Sequence, residues 1–152
     1  MELLVSFAEA KEKETLNRLF SESDMCLAGE VEDHVVLKEG DSVLAGARLV
    51  QMDETLFHLM VFAVEKEKRA NGAGRYLLEQ LTKSPWAYCR EATAASDYTV
   101  TTVARGGAAS FYQKCGFRKI PFSELPEPFA EQCVGCPEQE TCKSMAMAFT
   151  GQ

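Results

Sequence analysis

Residues 56–83, LFHLMVFAVEKEKRANGAGRYLLEQLTK, decide how this chain folds. The run 56–64 is almost continuously apolar and is too short for a membrane span, so it predicts a strand covered on both faces. A charged segment and the tripeptide Gly-Ala-Gly at 72–74 follow it. Beyond these glycines the apolar residues recur with a helical period, at Tyr76, Leu77, Leu78 and Leu81. The stretch therefore predicts a strand, a glycine-bearing turn and a helix.

This strand–turn–helix order is typical of an anion site. A helix N-terminus exposes N–H groups without intrahelical partners and carries partial positive charge. Gly72 and Gly74 have no Cβ, so a phosphate could approach the backbone, and the basic residues of 66–69 add positive charge. The motif R-x-x-G-x-G at 69–74 is neither the dinucleotide fingerprint nor the P-loop. On this stretch alone, a phosphate site and a simple turn are both open interpretations.

Length and composition bound the class of protein. The chain has 152 residues, of which 46% are hydrophobic and 26% charged, as expected for one globular domain with a proper core. The net charge of −7 argues against a nucleic-acid partner, which would need a basic face. Neither a basic leader followed by an apolar core nor an apolar run of membrane-helix length is present. We therefore expect a cytoplasmic protein without a membrane partner.

Periodicity and turn residues predict an alternating series of strands and helices along the chain. Strands are expected at 2–7, 35–37, 42–50, 56–64, 98–103, 117–120 and 145–149. Helices are expected at 9–20, from the glycine turn to Lys83, at 85–95 and at 108–115. A loop rich in cysteine and proline, 121–143, precedes the last strand. A turn is expected at 51–55 and a helical turn near 25–28.

A second motif, Phe111-Tyr112-Gln-Lys-Cys-Gly116-Phe117, follows the strand expected at 98–103. Aromatic neighbours on a helix usually belong to a core. Together with R-x-x-G-x-G, however, its order and spacing resemble the GNAT superfamily of acyl-CoA-dependent N-acetyltransferases. The resemblance covers about 56–120. It implies an α/β fold, in which a central mixed and mostly antiparallel sheet has helices on both faces, and one domain over 1–152.

The resemblance also assigns roles to individual residues. Residues 64–74 match V-x-P-x-x-R-x-x-G-x-G, with Lys66 where proline is frequent. Main-chain groups of Phe62 and Val64 would bind the pantetheine arm of acetyl-CoA, and Tyr112 would protonate the departing thiolate. The glycine turn would bind the pyrophosphate through Arg69, Ala70, Asn71, Gly72, Ala73, Gly74 and Arg75. Arg105 stands where many relatives carry asparagine.

The remaining chemistry is the removal of a proton from the attacking amine. His58 is the only titratable residue of the apolar strand, and its ordinary pKa lies near neutrality. It is a candidate general base, although a lone histidine near the start of a strand is more often a packed or solvent-touching residue, and a water chain is the alternative base. The other histidine, His34, has no special claim.

The C-terminal tail, Cys133-x-x-Cys136-Pro137 with Cys142 and Met145-Ala-Met147, resembles short single-domain N-acetylglutamate synthases. We expect the acceptor to be a small-molecule amine, and glutamate and other amino acids are the first acceptors to test. Arg48, Arg105 and Arg118 are candidates for binding an acidic acceptor. A protein acetyltransferase and a non-catalytic module that binds CoA or senses metal or redox state are the alternatives. The oligomeric state is open and includes a homodimer.

Cys133, Cys136 and Cys142 supply three thiols within ten residues. In a cytosolic chain such a cluster suggests metal or redox chemistry more than a disulfide framework. Structural zinc takes four ligands, so a fourth would have to come from elsewhere, such as Cys26, Cys89, Cys115 or a histidine. A zinc site, a redox pair and simple packing all remain open.

Overall fold

Strands and helices alternate along the part of the chain that the computed structural model describes, residues 3–22, 25–65, 72–90, 92–104, 108–126 and 144–151. The strands are β1 Leu3–Phe7, β2 Val35–Glu39, β3 Ser42–Asp53, β4 Leu56–Val64, β5 Tyr98–Ala104, β6 Arg118–Ile120 and β7 Met145–Gly151. The α-helices are α1 Lys13–Ser21, α2 Ala73–Lys83 and α3 Ala108–Lys114. Short 3-10 helices lie at Ala10–Glu12, Val31–Asp33, Pro85–Tyr88 and Phe122–Glu124.

The described strands form one sheet in the order β1-β2-β3-β4-β5-β7-β6. The pairs β1–β2, β2–β3, β5–β7 and β6–β7 are antiparallel. All seven predicted strands are present, and β4 has the bounds expected from its apolar run. The predicted α/β class with a mostly antiparallel sheet is therefore confirmed.

Three local predictions were wrong. β3 continues to Asp53, and the turn lies just beyond it, where the Asp53 carboxylate accepts a hydrogen bond of 2.9 Å from the Thr55 N–H. The helix expected at 85–95 is only a 3-10 helix, Pro85–Tyr88, after which Cys89 is extended. The segment 25–28 forms no helical turn. In addition, the predicted 9–20 helix is divided between the 3-10 turn Ala10–Glu12 and α1.

The described residues of 1–50 and 59–94 form one compact unit. The apolar stripe of α1 contributes Leu16, Leu19 and Phe20 to a buried cluster with Val36 of β2 and Ala63 of β4. Leu77, Leu78 and Leu81, the stripe predicted for the helix after the glycine turn, are fully buried on α2. Both helices are therefore held by the apolar faces that the sequence pattern predicted.

The described residues of 51–58 and 95–152 form a second compact unit. β7 pairs along the whole of β5, with Thr102 opposite Met147, and β6 pairs with the other edge of β7. α3 contacts β5, β6 and β7. In this unit α3, on which the second sequence motif begins, therefore packs against the three strands β5, β6 and β7.

Within the described ranges, no helix is both long enough and apolar enough to cross a membrane.

Candidate active site

The glycine turn begins α2. Gly72 is the N-cap residue and has a left-handed backbone, with φ of 80°, which favours glycine over other residues. No side chain caps the described first turn, and the first intrahelical bond runs from the Tyr76 N–H to the Gly72 carbonyl at 3.0 Å. By helix geometry, the N–H groups between these two residues have no intrahelical acceptor.

The other predicted pyrophosphate residues differ in their surroundings. Ala73 and Gly74 are buried at the start of α2, whereas Arg75 is exposed and pairs with Glu79 one turn later at 2.9 Å. Arg69, Ala70 and Asn71 lie outside the described residues, as does Lys66. The structure therefore places the helical half of the predicted turn and leaves its first half as a prediction.

Phe62 and Val64, the predicted pantetheine residues, are half-buried on β4. Successive residues of a strand point to opposite faces. Ala63 between them packs into the cluster with α1, so Phe62 and Val64 lie on the face of β4 turned away from that cluster.

Tyr112, the candidate acid, lies on α3 inside an aromatic cluster. Its ring centroid is 5.4 Å from that of Phe111 and 5.2 Å from that of Phe117, which in turn lies 5.7 Å from Phe149. Burial raises the pKa of the Tyr112 phenol, and a hydrogen bond with the Thr102 side chain opposes that rise. Tyr112 is therefore a neutral phenol at physiological pH and retains a proton that it can give.

Gly116 explains the spacing of the second motif. Its φ of 96° is left-handed, and an added Cβ would lie 3.2 Å from the Phe149 ring. The chain therefore reverses tightly at the end of α3, and the Phe117 N–H donates to the Tyr112 carbonyl at 3.0 Å. This reversal brings the Phe117 ring onto the Tyr112 ring.

His58, the candidate base, is buried on β4 and contacts β5. Its Nδ1 is 2.8 Å from the Thr101 hydroxyl oxygen, which lies 3.4 Å from the Phe57 carbonyl. Burial disfavours the charged imidazolium and lowers the pKa of His58 to about 4. His58 is therefore a neutral imidazole at physiological pH.

The two candidate proton-transfer groups lie on opposite faces of β5. Thr101 contacts His58, and Thr102 contacts Tyr112. Because consecutive strand residues alternate between the faces of a sheet, the two threonines point in opposite directions. Val103, which shares a face with Thr101, packs against the cluster of Ile120, Leu125, Ala146 and Ala148. One face thus carries the candidate base, and the other carries α3 and the candidate acid.

The two threonines were not among the site residues predicted from the sequence, where 98–103 stands only as a β-branched strand. A signal was nevertheless present, because two consecutive hydroxyl residues in a buried strand need hydrogen-bond partners on both faces. His34, which had no predicted role, is fully buried. The His34 ring accepts a hydrogen bond from the Ala28 N–H at 3.0 Å, and its other nitrogen lies 2.8 Å from the Glu30 carbonyl.

Two of the three arginines suggested for an acidic acceptor have partners within the protein. The Arg48 guanidinium donates to the Ala28 carbonyl and lies 3.7 Å from the Asp33 carboxylate. Arg118 is exposed on β6, and its guanidinium donates to the Thr150 hydroxyl at 3.3 Å. Arg105 lies outside the described residues.

The predicted metal ligands Cys133, Cys136 and Cys142 also lie outside the described residues. Within the described part of the chain, no group of three or more His, Cys, Asp or Glu side chains could hold a metal ion. Cys26, Cys89 and Cys115 are not in disulfide bonds, and burial raises the pKa of the Cys89 thiol to about 12. Zinc therefore stays a prediction that concerns the tail.

Comparison with solved structures identifies several acetyltransferases of similar fold. N-acetylglutamate synthase from Neisseria gonorrhoeae, complexed with coenzyme A and N-acetyl-glutamate, matches 100% of this chain with a TM-score of 0.76 and 13% identity. The match covers 36% of that protein, so this chain spans about a third of its length.

Two further structures match at nearly full length. The ribosomal-protein-S18-alanine N-acetyltransferase from Escherichia coli has a TM-score of 0.64 and 17% identity, with 98% of this chain and 94% of that chain covered. An acetyltransferase of the GNAT family from Staphylococcus aureus has a TM-score of 0.68 and 15% identity, with 99% and 100% covered.

A family model described as "Acetyltransferase (GNAT) domain" matches residues 30–119, which is more than half of the chain and includes both the glycine turn and Tyr112. The chain belongs to the GNAT acetyltransferase family.

Proposed function

We propose that this protein transfers the acetyl group of acetyl-CoA to the amine of a small molecule, with glutamate and other amino acids as the first acceptors to test. The observation that supports it most is the buried, neutral Tyr112 at the end of the second motif in a chain of the GNAT family. The fold likeness to an N-acetylglutamate synthase, together with the tail resemblance, favours an amino acid. The fold likeness to a ribosomal-protein acetyltransferase keeps a protein acceptor as the second candidate.

The glycine turn would bind the pyrophosphate of acetyl-CoA. The N–H groups at the start of α2 are the donors that an anion requires. The left-handed Gly72 leaves the backbone accessible, because none of the described residues lies within 4 Å of the position a Cβ would take. We include Arg69, Ala70, Asn71, Ala73, Gly74 and Arg75 in this cradle, and we assign the main chain of Phe62 and Val64 to the pantetheine arm.

The reaction requires one proton to leave the amine and one to reach the sulfur. The neutral amine attacks the thioester carbonyl, the C–N bond forms and the C–S bond breaks. Tyr112 would give its phenolic proton to the departing thiolate, and a base would take the proton of the former amine. His58 is the side-chain candidate for that base, and a water chain is the alternative because His58 lies on the face of β5 opposite Tyr112. The neutral states of Tyr112 and His58 are the ones that these roles demand.

Acetyl-CoA consumption across an acceptor panel tests the proposal. Binding of CoA is first established by thermal shift, and amino acids, other small amines and N-terminal peptides are then compared as acceptors. We expect turnover with at least one small amine and little with peptides. Turnover with peptides alone would move the assignment to protein acetylation. CoA binding with no turnover on any acceptor would favour the non-catalytic alternative.

A further inference from the structure

The imidazole of His34 joins the two sides of the turn at Gly29. Its Nε2 accepts a hydrogen bond of 3.0 Å from the Ala28 N–H, and its Nδ1 lies 2.8 Å from the Glu30 carbonyl oxygen. A carbonyl can only accept, so Nδ1 must carry the proton, and a backbone N–H can only donate, so Nε2 must carry the lone pair. The main chain around the ring therefore fixes the neutral imidazole in one tautomer.

A charged imidazole does not fit this arrangement. The imidazolium has a proton on both nitrogens, so Nε2 would direct an N–H at the N–H of Ala28. The ring of His34 is fully buried, and water cannot replace the lost acceptor while the turn stays in place. Protonation of His34 therefore requires the turn to move away from the ring.

We propose that His34 is a pH-sensitive clasp on the segment 25–33, which the neutral ring holds closed and which opens locally when the ring is protonated. The clasp consists of the two hydrogen bonds that the ring makes with Ala28 and Glu30. This inference goes beyond the proposed function and does not depend on it, since no substrate takes part in the opening.

Both ends of the segment are held by main-chain hydrogen bonds that do not involve the ring. At its start the Met25 N–H donates to the Phe20 carbonyl at 2.8 Å, and just beyond its end the Ala8 N–H donates to the His34 carbonyl at 2.8 Å. Between these points Leu27, like Met25, is only partly buried on the apolar cluster that contains α1 residues. The segment can therefore open between fixed ends and uncover part of that cluster while the rest of the fold is kept.

Two charged groups act on the ring in opposite directions. The Arg48 guanidinium, which also donates to the Ala28 carbonyl, opposes a second positive charge, whereas the Asp33 carboxylate favours one. Burial disfavours the imidazolium more strongly than either of them acts. The pKa of His34 in the closed segment therefore lies below its ordinary value of 6.5.

The other neighbours of the ring leave this balance in place. α1 presents the apolar ring of Phe20, whose centroid lies 5.7 Å from that of His34. The side chains of Glu30 and Glu32 are exposed, so water and salt screen their charges. Cys89, which interacts with Arg48, is a neutral thiol because burial raises its pKa to about 12.

The direction of the pH dependence follows from the two states of the segment. Opening returns the ring to water and to a pKa near 6.5, whereas the closed ring is less basic. Below about pH 6.5 the open state therefore binds a proton that the closed state does not, and opening becomes easier as the pH falls. Above that pH both states are neutral, and opening no longer depends on the titration of His34.

Amide hydrogen exchange read by NMR tests the clasp in the intact protein. The protection factor of the Ala28 N–H, corrected for the intrinsic effect of pH on exchange, is compared at pH 7 and pH 5. The Phe117 N–H is the reference, because it closes a different turn by donating to the Tyr112 carbonyl at 3.0 Å. We compare wild type with His34→Gln, which cannot titrate, and with His58→Gln, which removes the other buried histidine and keeps the clasp.

We expect the protection factor of Ala28 to fall about tenfold between pH 7 and pH 5 in wild type and in His58→Gln, with a much smaller change at Phe117. In His34→Gln the protection of Ala28 should be lower at pH 7 and should not fall further than that of Phe117. Nitrogen-15 NMR of the wild-type imidazole at pH 7 should show His34 protonated at Nδ1.

A wild-type His34 protonated at Nε2 would overturn the proposal even if His34→Gln did not fold. Constant protection of Ala28 in wild type would do the same. Equal losses at Ala28 and Phe117 would show that acid unfolds the whole protein instead of opening the segment. A tenfold fall that persists at Ala28 in His34→Gln would assign the pH dependence to another group.

Discussion

At the residue scale, burial has opposite effects on the two candidate proton-transfer groups and leaves both of them neutral. It raises the pKa of Tyr112 because the phenolate is poorly solvated, and it lowers the pKa of His58 to about 4 because the imidazolium is poorly solvated. A neutral phenol is a proton donor and a neutral imidazole is a proton acceptor. Exclusion of water therefore keeps both groups neutral by the same physical cause, although they lie on opposite faces of β5.

Replacement of Tyr112 by phenylalanine tests the acid. The ring contacts with Phe111 and Phe117 need no hydroxyl, so the fold should be retained while the proton donor is lost. We expect kcat to fall roughly 100-fold, within the usual range for general acid catalysis, with CoA affinity unchanged. Steady-state kinetics and CoA titration measure both. Tyr88→Phe, on the 3-10 helix Pro85–Tyr88, is the matched control, and wild-type turnover in Tyr112→Phe would remove the assignment.

The lowered pKa of His58 also predicts how stability depends on pH. The unfolded chain regains a histidine pKa near 6.5, so below that pH it binds a proton that the folded protein does not. Stability is complete above about pH 6.5 and falls as the pH drops toward 4. Between pH 7 and pH 5 this group should cost about 2 kcal/mol of unfolding free energy.

Urea unfolding of wild type and His58→Gln at both pH values isolates this contribution. Glutamine cannot take up the proton, so its variant should lose about 2 kcal/mol less than wild type between pH 7 and pH 5. Other titrating groups, such as His34, are common to both proteins and cancel in the difference. Identical losses would show that His58 is not neutralised by burial.

At the element scale, the glycine turn at the start of α2 can be tested against a second glycine with the same local properties. Gly72 and Gly40 both have a positive φ, 80° and 63°, and at either position an added Cβ would have no described residue within 4 Å. Aspartate should therefore cause similar backbone strain at both. Only Gly72→Asp places a negative charge where the diphosphate is proposed to bind.

We expect Gly72→Asp to weaken CoA binding by about tenfold or more through charge repulsion, and Gly40→Asp to leave it unchanged. Isothermal titration with CoA measures the affinities, and thermal unfolding verifies that the two variants have lost comparable stability. Equal CoA affinities in the two variants would contradict a phosphate cradle at this turn.

The same elements show which features a sequence can predict. β4 was predicted with its observed bounds because its apolar run lies between the turn before Leu56 and the charged segment after Val64, so local pattern and burial agree. The helix expected at 85–95 was wrong because tertiary contacts prevail after Tyr88. The Arg90 guanidinium donates to the Glu32 carbonyl at 2.8 Å and lies 4.1 Å from the centre of the Phe7 ring.

In the candidate site, too, some features could be predicted from the sequence and others could not. Gly72 and Tyr112 could be named because each belongs to a short motif. The Thr101–His58 contact could not, because the two residues are 43 positions apart and meet only when β4 and β5 lie in one sheet. A motif records local geometry, whereas a hydrogen bond between strands is a property of the assembled sheet.

At the scale of the whole molecule, the proposed ligand is a polyanion and the protein itself is acidic, with a net charge of −7. Long-range attraction therefore cannot account for CoA binding, and the affinity must come from local groups such as helix N–H donors. Ligand binding to the folded state alone then becomes visible in global stability. CoA at 100 times its Kd should add about 2.7 kcal/mol, which for a chain of this length raises Tm by about 5–10 °C.

Zinc bound by Cys133, Cys136 and Cys142 would also stabilise the folded state against unfolding, through a site separate from that of CoA. If the tail holds a structural metal, then protein purified without chelator should contain stoichiometric zinc, and a chelator should lower Tm. The shift that CoA produces should be the same before and after chelation, because the turn at Gly72 contributes no metal ligand. Cys136→Ser should lower the metal content and Tm, whereas Ser123→Ala, at an exposed residue that is not a candidate ligand, is the control. Zinc and iron well below one equivalent, with a Tm indifferent to chelator, would leave the three cysteines as redox or packing residues.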